Sequence, residues 1–207
     1  APSVAVGMAG APGHQAATLL PDGTPSAERR ARGGYGNYPT HGGFDQMTAR
    51  VGGFWDSMIG EGRDWWITAN SDSHVHYSEG GSDFWPGEYS KTYVWAQKNH
   101  ESIMDGIRNG RIFVTTGDLV DQLFVSAESN QSGATAEIGG TLTVAAGDSV
   151  TVTISFQDPD RLNNNGDNPS VRRVDLITGS ISKSATDPAD DTNTCLLYTS
   201  DAADDTD

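Results

Sequence analysis

Cationic side chains are scarce in this chain. Thirteen Lys and Arg stand against 28 Asp and Glu in 207 residues, a formal net charge of −15. A surface of that sign repels phosphate backbones and anionic lipid headgroups, so neither a nucleic-acid footprint nor a membrane partner is expected. The single cysteine, Cys195, cannot close a disulfide within the chain. No apolar run approaches the roughly 20 residues of a membrane-crossing helix. Hydrophobic residues make up 35%, below the usual share. The length therefore suits one domain or one and a half, with a core of modest size. Ala1 is not an initiator methionine, so the lack of a signal peptide carries no information about export.

Against that background one stretch stands out, Trp65-Trp66-Ile67-Thr68-Ala69-Asn70-Ser71-Asp72-Ser73-His74-Val75-His76. It begins as aromatic and β-prone residues, the composition of a buried strand. It ends in Asp and His, whose carboxylate and imidazole groups bind divalent metals. In α/β proteins, function collects at the carboxyl ends of core strands. Residues two apart in an extended segment point the same way, so Asp72, His74 and His76 share a face if the strand continues. Asn70, Ser71, Asp72 and Ser73 are equally good turn residues, and a plain polar turn is the alternative.

Around this stretch the chain alternates between strand and helix signals. Val4 to Met8 predicts a short strand, followed by the turn-rich Gly10-Ala11-Pro12-Gly13-His14-Gln15. Residues 18–40 read as a long loop, with Arg29, Arg30 and Arg32 its basic cluster, either solvated or facing an anionic substrate group. The spacing of Met47, Val51, Phe54 or Trp55 and Met58 predicts one helix over 44–59, weakened at Gly52-Gly53. A helix over 99–109 has Asn99 as N-cap, an apolar stripe of Ile103, Met104 and Ile107, and Gly110 as its stop. Strands are expected at 92–96 and 111–116. A helix feeding a strand that ends in ligands is the repeating unit of an α/β barrel.

From Gln122 the pattern changes to strands alone, at 123–125, 141–144, 149–156 and 171–177. Val150, Val152, Ile154 and Phe156 alternate cleanly onto one face. This predicts part of a β-sandwich. The Asp- and Asn-rich loop 158–167 has the composition of a calcium loop but not the spacing of an EF-hand, and a solvated hairpin loop is the favoured expectation over a calcium site.

Ser71-Asp72-Ser73-His74 after an apolar strand resembles the last metal motif of the PHP (polymerase and histidinol phosphatase) superfamily of metal-dependent phosphoesterases. The flanking blocks Gly53-Phe54-Trp55-Asp56-Ser57, Gly60-Glu61-Gly62-Arg63, Asp83-Phe84-Trp85-Pro86-Gly87-Glu88-Tyr89 and Asn109-Gly110-Arg111 follow in the order seen in large exported members. The resemblance spans roughly Gly10 to Ala127. It implies an α/β fold, the C-terminal part of a distorted (β/α) barrel over 1–121, followed by a partial β-sandwich over 122–194. It implies divalent metal ions (Zn, Mn or Fe) held by Asp72, His74 and His14. His76 and Arg111 would contact a small-molecule phosphoester or ester substrate, and the protein would be exported, periplasmic or extracellular. The family's early His-x-His and the ligands between it and the late motif have no counterpart here. The chain is therefore expected to be a truncated, inactive piece of an active parent.

Three other readings stay open. One is a metallohydrolase of the same fold acting on carboxylic or carbamate esters. A second is a non-catalytic carbohydrate- or surface-binding module on the β-rich part. A third is a degenerate, purely structural PHP domain. Finally, Cys195-Leu196-Leu197-Tyr198-Thr199-Ser200-Asp201-Ala202-Ala203-Asp204 resembles a translated sequencing-library adapter. Residues 195–207 are accordingly expected to be an artefact without order.

Overall fold

The computed structural model of the chain describes residues 4–12, 44, 46–49, 51–71, 87, 90–163, 166–181 and 194–201. Over these residues the protein is a mixed α and β structure dominated by strands, in open sheets two or three strands wide.

Strand β1 (Gly7–Pro12) lies parallel to β2 (Trp66–Asn70), with Gly7 opposite Trp66 and Pro12 opposite Asn70. Between them in sequence come α1 (Gln46–Ala49) and α2 (Phe54–Gly60). Parallel neighbours require such a crossover, so the first 70 residues contain a β-helix-β unit. The single helix expected over 44–59 is broken. Gly52 adopts φ 79°, a left-handed conformation no α-helix can pass through, and a turn at 51–53 separates the two pieces. Helix α1 packs where β1 has no side chain. A Cβ at Gly10 would lie 2.9 Å from the buried Thr48 side chain. Helix α2 is tied to the start of β2 by the Trp55 indole N–H, which donates to the Trp65 carbonyl at 2.8 Å.

Strands β3 (Ser90–Val94) and β4 (Ile112–Thr116) are antiparallel, with Thr92 opposite Val114. Thr92 joins this pair to β2. Its hydroxyl donates to the Ala69 carbonyl at 2.8 Å and accepts from the Ala69 N–H at 2.9 Å, doing the work of a neighbouring backbone. The three buried apolar side chains among the described residues, Ala11, Ala69 and Ile112, belong to β1, β2 and β4. The paired alanines at this centre let β1 and β2 approach closely, and the sparse core follows from the low apolar content.

Helix α3 (His100–Arg108) follows the sequence reading closely. The Asn99 side chain accepts from Ser102 N–H at 2.9 Å, and the Ser102 hydroxyl in turn accepts from Gln97 N–H. Packing differs from the expected stripe. The helix approaches Val94 through Gly106, where a Cβ would come within 2.7 Å of Val94, and Met104 is half exposed. Replacing Asn99 with Ala is expected to cost about 1 kcal/mol, the usual value of an N-cap, in urea denaturation. An unchanged midpoint would mean the cap adds nothing here.

Strand β4 leaves through a tight turn in which Gly117 and Asp118 take φ 64° and 60° and Leu119 N–H donates to Thr116 carbonyl. Asp118 is held in that strained conformation by an ion pair with Lys91. Next comes a three-stranded antiparallel sheet, with β5 (Gln122–Ser129) between β6 (Thr135–Glu137) and β7 (Val150–Gln157). Leu123, Val125 and Ala127 face Phe156, Ile154 and Val152 on one side. That side meets Phe113, Leu119 and Val174 around a cavity of about 320 Å³. The strand expected at 141–144 is irregular; the place beside β5 is taken by β6.

Loop 158–167 is not a hairpin loop, because β7 and β8 (Arg173–Gly179) belong to different sheets. Its polar groups tie it down. Asp158 accepts from Val171 N–H, Asp160 from Asn168, and Arg161 pairs with Asp121 at 2.9 Å. That bond to Asp121 raises the Arg161 pKa further. Strand β8 pairs antiparallel with β9 (Thr194–Asp201). Of the tail expected to carry no order, residues 195–201 belong to this strand, and 202–207 lie outside the described residues. Leu196, Leu197, Tyr198 and Thr199 are β-prone, and an open strand edge recruits any such segment, whatever its origin.

Candidate functional site

The candidate ligands His14, Asp72 and His74, and the candidate substrate contact His76, lie outside the described residues. What the structure gives is the platform from which they depart. His14 stands two residues beyond Pro12, and Asp72 two beyond Asn70. Pro12 and Asn70 are register partners at the carboxyl ends of parallel neighbours. Both strands thus run out over the same edge.

The platform has a further irregularity. The register shifts between Ala9 and Ala11, so Gly10 is an extra residue in β1. Such bulges bend a strand locally, re-aim the residues beyond the bend, and concentrate next to active sites. Ser71, the last described residue on the β2 side, is buried. Thr92, in sequence an ordinary strand residue, fixes Ala69 from the other side. No sequence signal distinguishes a bridging Thr from any β-branched strand residue.

Arg111 is described, and it has a partner within the fold. Its guanidinium donates to the Asp105 carboxylate, and this bond holds the Asp105 pKa below the ordinary carboxylate range. Its surroundings are the amino end of β2. Trp66 indole N–H donates to the Arg108 carbonyl at 3.1 Å, and a Cβ on Gly110 would meet the Trp66 ring at 2.5 Å. Arg111 therefore braces the α3–β4 junction, at the opposite end of β2 from the edge leading to Asp72.

Asp56, singled out in the sequence only as part of the Gly53-to-Ser57 block, proves to be the third residue of α2. Its carboxylate accepts from Gly52 N–H at 2.6 Å. Burial raises its pKa, and the Gly52 bond opposes part of that rise. A raised carboxylate pKa means the folded state favours the protonated form. That contribution is complete below the ordinary carboxylate pKa and is lost as pH rises through the raised folded value. Asp56→Asn keeps an acceptor for Gly52 without the charge. It is expected to melt higher than the parent near pH 7, with the gap closing as pH falls to about 4. A gap independent of pH would show that charge burial is not the cause.

Among the described residues, no group of three or more His, Cys, Asp and Glu converges as a metal-ligand set. No described helix is long and apolar enough to cross a membrane. Comparison with known protein families, curated proteins and solved structures returned no match for this chain.

Proposed function

We infer that this chain carries part of the metal centre of a PHP-type hydrolase, the barrel-derived unit ending near residue 121. Asp72 and His74 hold a divalent ion together with His14, and the substrate is a small-molecule phosphoester. The observation that carries this reading is the parallel register of β1 and β2. It supports bringing the His14 segment and the Asp72–His76 segment to one strand edge, where α/β proteins bind ligands. The Gly10 bulge at that edge supports it further.

The donor set fits the group. Two imidazoles and one carboxylate suit Zn, Fe or Mn, and three protein ligands with an open position is the usual arrangement of a catalytic zinc site. When bound, such an ion brings the pKa of a coordinated water near neutrality and screens phosphoryl oxygens. The protein's share is to supply the ligands from two strands locked side by side, and to keep them there. Thr92 and the Ala11–Ala69 contact serve that purpose. An ion also resolves a conflict of charge, since a chain this acidic would otherwise repel a phosphoester.

Because the family's early His-x-His has no counterpart in the chain, the direct test is metal binding and not turnover. Titration of the 207-residue protein with Zn²⁺ and Mn²⁺ by calorimetry is expected to give a saturable site that is lost in the His14→Ala, His74→Ala double variant. Stoichiometric binding that survives the double variant would overturn the assignment.

A further inference from the structure

The sheet β6-β5-β7 has one polar face, and that face contains an anomaly. Pairing sets Glu137, Ser126 and Thr153 in one row across the three strands, and Phe124 with Ser155 in the next. Gln122, Glu128, Thr151 and Gln157 continue the same face by alternation. Every one of these is polar except Phe124. Its neighbours Leu123 and Val125 already supply the apolar face, so Phe124 is out of phase with core packing.

Trp95, from the segment between β3 and α3, lies on this Phe. The ring centroids are 4.7 Å apart with the planes tilted by 47°. The pair does not bury itself, for Trp95 remains 41% and Phe124 50% exposed. Together with Ser126, Thr153, Ser155 and Glu137 the two rings line a groove of about 390 Å³. That volume lies within the roughly 300–1,000 Å³ typical of small-molecule sites.

We propose that this groove binds a neutral saccharide. A pyranose has an aliphatic C–H face and a rim of hydroxyls, and the groove offers the complement of both. The open aromatic faces take the C–H side, where stacking needs no charge and costs little side-chain freedom. Three side-chain hydroxyls and one carboxylate stand on the sheet as donors and acceptors for the rim. Among the described residues, no Lys or Arg lines the groove. An anionic ligand would meet Glu137 unscreened within a chain of net charge −15. The paired strands fix the spacing of the polar groups, so they need little reordering on binding. This inference does not rest on the metal reading, since every residue it uses belongs to β5, β6, β7 or is Trp95.

The test is calorimetric titration of the 207-residue protein with soluble neutral hexasaccharides to millimolar concentration. The panel contains β-1,3-, β-1,4- and α-1,4-linked glucose and β-1,4-linked xylose, with choline chloride as the cationic comparison. At least one hexasaccharide is expected to bind saturably. Trp95→Ala should weaken it about tenfold or more, as removal of a central aromatic anchor does, while Trp95→Phe restores part of the loss. Thr153→Ala, at an exposed position, should weaken it several-fold without altering the fold, and Glu137→Gln should leave measurable binding. If Trp95→Ala fails to fold, Thr153→Ala and Trp95→Phe decide alone. The proposal is overturned if no hexasaccharide binds, if binding is the same in Trp95→Ala and Thr153→Ala as in the parent, or if choline binds in the groove in place of sugar.

Discussion

Asp72→Ala is expected to remove metal binding from this protein while leaving its fold intact. Even partners that only orient a ligand cost 10- to 100-fold in metal affinity when mutated, so loss of the proposed carboxylate ligand should cost at least about 100-fold. The fold should tolerate it because β2 is secured before the site begins. Trp66 is bonded to Arg108, Ala69 to Thr92, and the backbone to β1 through Asn70. Asp64→Ala is the matched control. It removes the same charge from an exposed position at the amino end of β2. Metal content after dialysis against Zn²⁺, read beside far-ultraviolet circular dichroism, separates the outcomes. Equal metal loss in both variants would reduce the effect to general charge, and full retention in Asp72→Ala would remove Asp72 from the ligand set.

The largest loss of stability is expected at a residue far from any ligand. Gly139 follows β6 with φ 78°, and a Cβ there would stand 2.2 Å from the Asn109 carbonyl oxygen and 2.7 Å from the Gly110 carbonyl carbon. These are backbone atoms at the end of α3, and no rotamer change clears them. Left-handed strain of about 1–2 kcal/mol adds to overpacking of about 1–3 kcal/mol. Gly139→Ala should therefore cost about 3 kcal/mol or more, a large part of the stability of a small domain. Gly133→Ala isolates the contact. Gly133 has φ 68° but no atom within 4 Å of its Cβ direction, so only the strain remains. Urea denaturation of both variants gives the comparison, and equal losses would show that the α3–β6 approach is unimportant.

Elements whose signals are local were readable in the sequence. Asn99, the helix behind it and the stop at Gly110 were specified by capping chemistry that needs no distant partner. The strands of alternating Val, Ile and Phe at 150–156 were legible for the same reason. The break at Gly52 was visible only as a weakness, because whether Gly takes positive φ depends on where the next helix must pack. The missing strand at 141–144 and the presence of β6 turn on competition for one edge of β5, which local pattern does not encode. The candidate site reads in the sequence as a list of residue types, and His14, Asp72, His74 and His76 lie outside the described residues. Its platform was not legible, since the Gly10 bulge and the Thr92 bridge to Ala69 exist only once three strands meet. The aromatic groove left one trace, Phe124 between two apolar neighbours, which reads as an ordinary apolar run until the pairing is known.

The pairing of β1 with β2 also has a kinetic consequence. Gly7 meets Trp66 across most of the first third of the chain, whereas β3 with β4, β5 with β7 and β8 with β9 each close over a shorter stretch. Loop-closure entropy must be met before a distant contact returns any stability, so the strand carrying the chain toward His14 should dock last and detach first. Amide hydrogens of β1 should then exchange through a local opening that leaves β3, α3 and β4 protected. An ion gripped from both strands would close that loop, and the slowest-forming part of the fold would become the part whose persistence reports the metal supply.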